Sequence, residues 1–126
     1  MPDKNMRILS VDDFSTMRRI VKNILKQLGY TNVDEAENGA TAIDAMREKK
    51  YDLIISDWNM PVKTGIEFLK EVRADPELKD TPFLMVTAEA EKDNVVEAMQ
   101  AGVSNYVLKP FTAKILEEKL AGIFPE

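Results

Sequence analysis

The chain has 126 residues, 44% of them apolar and 31% charged, which suits a single globular domain with a real core. A net charge of −5 argues against nucleic-acid binding through phosphates, and without His or Cys there are no imidazole or thiolate metal ligands and no Ser-His triad. With no long apolar run and no apolar signal region at the polar N-terminus, we expect a cytoplasmic protein without membrane insertion.

The first two predicted elements are a buried strand and an amphipathic helix. Residues 7–11 form a short apolar run that predicts the strand. Ser15 or Thr16 can cap the helix that follows, and Gly29 lies where that helix should end. The buried stripe predicted from the helical period consists of Met17, Ile20, Val21, Ile24, Leu25 and Leu28.

A weaker strand and a second helix come next. Residues 32–36 are more polar, which favours a strand at the edge of a sheet. The dipeptide Asn38-Gly39 predicts a turn, and the helix after it should end near Lys49-Lys50. The apolar residues that support this helix are Ala42, Ile43 and Met46.

The middle of the chain contains the most apolar strand. Residues 52–57 include a β-branched run typical of a strand covered on both faces, as in a parallel sheet. A helix over 64–73 follows, broken by Asp75-Pro76, and then a strand over 83–86 that ends at Thr87. The inward face of this third helix is formed by Ile66, Leu69 and Val72.

The last third of the chain repeats the alternation. A helix over 91–101 ends at Gly102, a strand spans 105–108, and Thr112 can cap a final helix. In the fourth helix the predicted inward residues are Val95, Ala98 and Met99. In the final helix the predicted buried stripe is Leu116, Leu120, Ile123 and Phe124.

Five alternations of strand and helix predict an α/β fold, a doubly wound parallel sheet with helices on both faces. The strand order 2-1-3-4-5 is adopted from known sheets of this kind rather than worked out from the sequence. In such sheets a ligand binds at the carboxyl ends of the strands, where the order switches between strands 1 and 3.

Polar side chains follow several of these strands at their carboxyl ends. Asp12 and Asp13 follow the first strand, Asp57 the third, Thr87 the fourth and Lys109 the fifth. Crowded carboxylates repel one another, and a hard divalent cation such as Mg²⁺ or Mn²⁺ offsets that repulsion. A metal, an ammonium group, a hydroxyl and a carboxylate nucleophile together suit phosphoryl transfer onto Asp57.

Each of these residues taken alone has a plainer explanation. Asp12 and Asp13 could cap the first helix, Thr87 could cap the fourth, and Lys109 could be an ordinary solvated lysine. Their coincidence at one predicted edge favours the functional interpretation. The sequence has neither a Gly-x-Gly-x-x-Gly nor a P-loop motif, which argues against dinucleotide and P-loop nucleotide binding.

Four segments together resemble the response-regulator receiver domain: 11–19 (VDDFSTMRR), 56–61 (SDWNMP), 86–90 (VTAEA) and 107–112 (VLKPFT). Within that family the chain is similar to the stand-alone chemotaxis regulators. The resemblance covers nearly the whole chain and implies a single receiver domain over 1–126 with a flavodoxin-like fold. It also implies a cis Lys109–Pro110 peptide.

The resemblance implies roles for individual residues. Asp57 would accept a phosphoryl group from a histidine kinase or a small acyl phosphate, and its later hydrolysis would reset the switch. Mg²⁺ would be bound by Asp12, Asp13, Asp57 and the carbonyl of Asn59. Thr87 and Lys109 would contact the phosphoryl oxygens. Thr87 and Tyr106 would form the switch pair. Asn59 and Glu89 occupy positions that help to set the dephosphorylation rate in the family.

The same resemblance implies an output surface and partners. The face made of helix 4, strand 5 and helix 5 would bind the flagellar motor switch protein after phosphorylation by a chemotaxis histidine kinase. A dedicated phosphatase is a further expected kind of partner, and the protein is expected to be a monomer without an output domain after the last helix. The apolar residues of this face, somewhat bulkier than the family pattern, are Val95, Met99, Val103 and Leu108.

Three alternatives remain open from the sequence. The chain could be a stand-alone receiver that serves another phosphorelay or acts as a phosphate sink. It could be a Mg²⁺-dependent phosphohydrolase with Asp57 as nucleophile, although 126 residues leave little room for a substrate cap and a second acid. It could also be a receiver that has lost phosphorylation, which the presence of the whole residue set disfavours. The favoured hypothesis is a phospho-acceptor switch that assists its own phosphorylation and dephosphorylation and is not otherwise an enzyme.

Overall fold

Strands and helices alternate throughout the computed structural model, which describes residues 3–88 and 92–124. The elements are β1 (Ile8–Val11), α1 (Ser15–Gln27), β2 (Val33–Ala36), α2 (Gly39–Glu48), β3 (Leu53–Asp57), α3 (Gly65–Ala74), β4 (Phe83–Thr87), α4 (Lys92–Gln100), β5 (Asn105–Leu108) and α5 (Ala113–Ile123). The five strands form one parallel sheet in the order β2-β1-β3-β4-β5. The predicted fold class and strand order are therefore confirmed.

The sheet is covered on both faces because its central strand is apolar on both. Ile54 of β3 packs into a cluster with α2, α3 and α4, in which the rings of Phe68 and Phe83 lie 5.1 Å apart between centroids. Leu53 and Ile55 point to the other face and pack against α1 and α5. Each fully buried aliphatic side chain contributes roughly 1.5–3 kcal/mol, so these two clusters supply the main drive for folding.

The strand register brings the carboxyl ends of the strands to one level. Val11 of β1 lies beside Ser56 of β3, and Thr87 of β4 lies beside Leu108 of β5. A single edge of the sheet, called the carboxyl edge below, therefore carries the first residues after each strand. The opposite edge, where the strands begin, is called the amino edge.

Helix ends confirm some of the sequence predictions. Gly29 and Gly102, with φ of +97° and +92°, follow α1 and α4 in the left-handed conformation that suits glycine. Thr112 caps α5 by accepting a hydrogen bond from the Ile115 N–H at 3.2 Å.

No helix in the described ranges is both long enough and apolar enough to span a bilayer.

The predicted start of α1 is wrong. The residue at its N-cap position is Phe14, whose side chain makes no capping bond, and Ser15 is already the first helical residue. The nearby side-chain oxygen that accepts a backbone hydrogen bond belongs to Asp12, which takes the Phe14 N–H at 3.0 Å. An acceptor placed before the helix therefore replaces the expected Ser15 or Thr16 cap.

The predicted Asn38-Gly39 turn is also wrong, because these residues begin α2. Asn38 is the N-cap, and its side chain accepts a hydrogen bond from the Thr41 N–H at 3.0 Å. The Thr41 hydroxyl in turn accepts the Asn38 N–H, which completes a capping box.

Two residues predicted to be inward-facing are exposed. Ile20 of α1 is 45% exposed and Met99 of α4 is 57% exposed. Each helix contacts the sheet along a narrow arc, marked by Val21 and Leu25 in α1 and by Ala98 in α4. The helical period alone could not show where that arc ends.

Candidate functional site

Three acidic side chains converge at the carboxyl edge. One carboxylate oxygen from each of Asp12, Asp13 and Asp57 lies within 4.8 Å of the other two. Asp12 and Asp57 are only 4% and 8% exposed, whereas Asp13 is open to solvent. The structure therefore brings together the three carboxylates that the sequence placed after β1 and β3.

The end of β3 is held by close backbone packing. The Ser56 hydroxyl donates to the Asp57 carbonyl at 3.1 Å, and the Gly65 N–H donates to the Trp58 carbonyl at 2.8 Å. A Cβ on Gly65 would overlap the Asp57 carbonyl oxygen and come within 2.9 Å of the Trp58 Cα. The missing side chain at Gly65 therefore lets α3 start directly against the strand that carries Asp57.

Lys109 supplies a positive charge to the cluster. Its Nζ lies 2.8 Å from Asp57 Oδ1 and 3.5 Å from Asp12 Oδ2. The Lys109 backbone N–H donates to the Thr87 carbonyl at 2.8 Å, which fixes the start of the β5–α5 loop. The Lys109–Pro110 peptide is cis, as the family resemblance implied.

The electrostatics of the site follow from this crowding. Burial raises the pKa of Asp57, an effect that the hydrogen bond from Lys109 only partly offsets and that the charge of Asp12 reinforces. Burial alone would lower the pKa of Lys109, but its contacts with Asp57 and Asp12 outweigh burial and raise it. Lys109 therefore stays protonated, and the carboxylates hold more negative charge than one ammonium balances.

Asp12 is fixed by backbone contacts as well as by Lys109. Its N–H donates to the Ala36 carbonyl at 3.1 Å, and its carbonyl accepts a hydrogen bond from Arg18 Nη1 at 2.5 Å. Sequence reasoning missed Arg18. The signal that could have identified it is a cation in the first turn of α1, the end of a helix where a positive charge is unfavourable.

The predicted switch pair lies along β4 and β5. Thr87 is buried at the end of β4, next to the cluster in the strand order. Tyr106 is half-buried against the core on the α2, α3 and α4 face, and Lys119 Nζ lies 5.2 Å from its ring centroid. The capping alternative for Thr87 and the proposed role of Glu89 involve residues outside the described ranges.

Asn59 lies in the exposed loop between β3 and α3. The same loop contains Val62, a β-branched residue with φ of +68°, and the Lys63 N–H donates to the Pro61 carbonyl at 2.7 Å. This three-residue turn with positive φ is a strained conformation for valine. The buried side chain of Met60 and the Gly65 N–H bond anchor the loop on either side of the turn.

The donor set of the cluster fits a hard cation. Every candidate ligand is an oxygen, and the chain contains no His or Cys that would favour zinc or copper. In contact with two of the carboxylates, Lys109 offers an ammonium group that can bind an anionic oxygen. The arrangement can therefore hold a divalent cation and an anionic group side by side.

Comparison with known proteins agrees with this arrangement. Residues 8–121 match the response regulator receiver domain family, so the chain belongs to that family. It is 56% identical to the chemotaxis protein CheY-3 of Vibrio cholerae serotype O1 over 122 residues, 97% of this chain and 94% of the relative. It is 57% identical to the chemotaxis protein CheY of Pseudomonas aeruginosa over 119 residues, 94% of this chain and 96% of the relative.

Solved structures show the same fold. The chemotaxis response regulator CheY4 of Vibrio cholerae matches with a TM-score of 0.87 and 36% identity, over 95% of this chain and 99% of that one. The receiver domain of a sensor histidine kinase from Pseudomonas aeruginosa matches with a TM-score of 0.83 and 29% identity, over 93% of this chain and 95% of that one. The latter structure is described with a magnesium ion coordinated in its active-site cleft.

Proposed function

We propose that this chain is a single-domain chemotaxis response regulator that accepts a phosphoryl group on Asp57. One observation carries the proposal: the buried Asp57 carboxylate lies 2.8 Å from Lys109 Nζ and within 4.8 Å of two further carboxylates at the carboxyl edge. The names of its relatives favour the chemotaxis assignment over another phosphorelay. The receiver domain would span residues 1–126 and act in the cytoplasm as a monomer.

The carboxylates of Asp12, Asp13 and Asp57 would hold Mg²⁺, or Mn²⁺ in its place, together with the Asn59 carbonyl. When bound, the cation neutralises charge on the carboxylates and on the phosphoryl oxygens. The all-oxygen donor set supports this choice, as does the magnesium in the related kinase receiver domain.

Asp57 would act as the nucleophile. One of its carboxylate oxygens forms a bond to phosphorus while the bond from phosphorus to the donor breaks, so acetyl phosphate would leave as acetate. Lys109 would exchange its contact with Asp57 for one with a phosphoryl oxygen, because the transferred group brings more negative charge than the carboxylate had. Thr87, buried at the end of the neighbouring strand, would donate its hydroxyl to the same group.

The response would be read on the surface formed by α4, β5 and α5. A hydroxyl drawn toward Asp57 leaves space on the Thr87 side of β5, into which the half-buried Tyr106 ring would turn. The surface residues Met99 and Leu108, both exposed, would then contact a flagellar motor switch protein. A chemotaxis histidine kinase would supply the phosphoryl group, and a dedicated phosphatase would accelerate its removal.

Intact-mass measurement after incubation with acetyl phosphate tests the chemistry. We expect one phosphoryl adduct in the presence of Mg²⁺ and none with a chelator or in Asp57→Asn. Asp44→Asn is the matched control, because Asp44 is an exposed carboxylate on α2 that should leave the adduct unchanged. An adduct that persists in Asp57→Asn would contradict the proposal, as would the absence of both an adduct and beryllofluoride binding.

Binding of an N-terminal peptide from a motor switch protein tests the output. We expect the phosphorylated or beryllofluoride-bound protein to bind the peptide several-fold more tightly than the free protein. A phosphorylation adduct without any gain in peptide binding would favour a receiver that serves another phosphorelay or a phosphate sink.

A further inference from the structure

Arg18 occupies an electrostatically unfavourable place in the fold. It lies in the first turn of α1, where the helix dipole disfavours a cation and where the helix itself has no acidic residue. Its side chain, only 17% exposed, turns back toward the sheet. There Nε forms an ion pair with Glu35 Oε1 of β2 at 3.0 Å, and Nη1 donates to the Asp12 carbonyl at 2.5 Å.

These contacts tie together the ends of two neighbouring strands. Glu35 belongs to β2, and Asp12 directly follows β1. The Asp12 N–H is already bonded to the Ala36 carbonyl of β2, so Arg18 completes the fixing of the Asp12 backbone from the other side. A planar guanidinium with several donors is suited to bridging a carboxylate and a carbonyl at once.

The direction of the Asp12 carboxylate depends on this backbone geometry. Asp12 Oδ1 accepts the Phe14 N–H at 3.0 Å, which leaves Oδ2 facing Lys109 Nζ at 3.5 Å. If the peptide after Asp12 rotated, both the Phe14 bond and the alignment with Asp13 and Asp57 would change. Arg18 is thus the side chain that restrains this rotation through the Asp12 carbonyl.

We propose that Arg18 is a positioning residue for divalent-cation binding, acting through the Asp12 carbonyl to hold the β1–α1 loop. The proposal rests on the function proposed above. Charge alone predicts that a positively charged side chain near a metal site weakens metal binding. We assign Arg18 the opposite effect, because it holds a metal ligand in place. Arg18 would touch neither the metal nor the phosphoryl group.

The sign of one measurement separates positioning from simple electrostatics. Deleting a positive charge near an acidic cluster strengthens its attraction for Mg²⁺, so a purely electrostatic role predicts tighter binding after substitution. A purely structural role predicts lower stability with unchanged Mg²⁺ affinity. A positioning role predicts weaker Mg²⁺ binding despite the lost positive charge.

The test is a Mg²⁺ titration of Arg18→Met followed by the fluorescence of Trp58, the single Trp of the chain. We expect about a tenfold loss of affinity, as for other residues that orient metal ligands, with partial recovery in Arg18→Lys. Arg19→Met is the matched control, because the neighbouring Arg19 is exposed and loses the same charge. It should bind Mg²⁺ at least as tightly as wild type.

Amide exchange without metal provides a second readout. In Mg²⁺-free protein the Phe14 N–H should exchange several-fold faster in Arg18→Met than in Arg19→Met, because its acceptor on Asp12 is less well held. Unchanged or tighter Mg²⁺ binding in Arg18→Met would overturn the proposal, as would unchanged Phe14 exchange. If wild type itself bound no Mg²⁺, the proposed function would fail, while the exchange rates would still decide whether Arg18 positions Asp12.

Discussion

Charged and polar groups are paired differently at the two edges of the sheet. At the amino edge, polar groups have close partners: the Tyr51 hydroxyl donates to Asp34 Oδ2 at 2.7 Å, and the Arg7 N–H donates to Asp52 Oδ2 at 2.8 Å. Arg73 donates to the carbonyls of Gly102, Lys79 and Thr81. At the carboxyl edge, three carboxylates cluster together, and Lys109 contacts two of them, Asp12 and Asp57.

This difference distinguishes a supporting region from a binding region. A groove of about 700 Å³ lies at the amino edge, far from Asp57. Two of the cations that line it, Arg47 and Lys49, pair with Asp75 and Asp34 at 2.9 and 3.7 Å. At the crowded carboxyl edge the three carboxylates outnumber the one ammonium group of Lys109, and a cation can bind there.

The largest expected effect comes from glycine substitution at the two edges. Gly65→Ala should destabilise the protein by about 3 kcal/mol, because the new Cβ would overlap the Asp57 carbonyl, a backbone atom that cannot move aside cheaply. It should also reduce the phosphoryl adduct, since any relief displaces the end of β3. Chemical denaturation and intact mass would measure the two effects.

Gly122→Ala is the matched control near the amino edge. A Cβ there meets Asn105 Nδ2 at 3.5 Å, an ordinary contact, and Gly122 is the penultimate residue of α5. We expect a gain of about 0.5–1 kcal/mol from the better helix former. Equal losses of stability in both variants would show that the backbone at Gly65 is not specially constrained.

The next prediction is that replacing Asp by Asn changes the stability of the protein in opposite directions at the two edges. Asp57→Asn should stabilise the metal-free protein by about 1 kcal/mol at pH 7, since it removes an ionised group from a crowded buried site. Asp75→Asn should destabilise it, because Asp75 accepts the Glu77 N–H at 2.8 Å and pairs with Arg47. Denaturation of both variants in the same buffer would test the contrast.

The pH dependence of these two variants should also be opposite. Burial raises the pKa of Asp57, so its contribution to stability is greatest below the unfolded pKa and is lost as pH rises through the folded pKa. Hydrogen bonding to the Glu77 N–H lowers the pKa of Asp75, so its contribution is present above the unfolded pKa and is lost as pH falls through the folded pKa. Parallel profiles for the two variants between pH 3 and 8 would contradict this view of the edges.

The last prediction concerns Tyr51 at the amino edge. Burial and the hydrogen bond to Asp34 raise the pKa of Tyr51 to about 12 from 10.0. Its stabilising contribution is therefore complete below about pH 10 and is lost as pH rises toward 12. Tyr51→Phe should cost about 1 kcal/mol at pH 7 and should remove the step near pH 12 from a phenolate absorbance titration.

Much of the fold followed from the sequence because its signals were local. The apolar runs at β1, β3 and β4 and the glycines after α1 and α4 depend on residues close together in the chain. The convergence of Asp12, Asp13 and Asp57 also followed, because a parallel sheet brings its strand ends to one level. These features follow from hydrophobic periodicity and from the order of strands and helices, both of which can be read directly from a sequence.

Other features depend on packing that no single segment encodes. Met99 is exposed because the sheet covers only a narrow part of α4. The start of α1 depends on Asp12, which lies before the helix. The contact of Arg18 with the Asp12 carbonyl, and the space that Gly65 leaves for Asp57, are decided by three-dimensional distances of a few ångströms. Sequence alone could place these residues but could not assign them partners.

The backbone strain at Val62 is a reserve of stability that a single substitution can release. A β-branched residue held at φ of +68° carries about 1 kcal/mol of backbone strain, and Val62 is also 82% exposed. Val62→Asn should release that strain, visible as a rise of several degrees in the thermal midpoint, whereas the β-branched Val62→Thr should not. Because proteins lie close to a stability threshold, this one position could compensate a harmful substitution elsewhere and so widen the range of sequences that still fold.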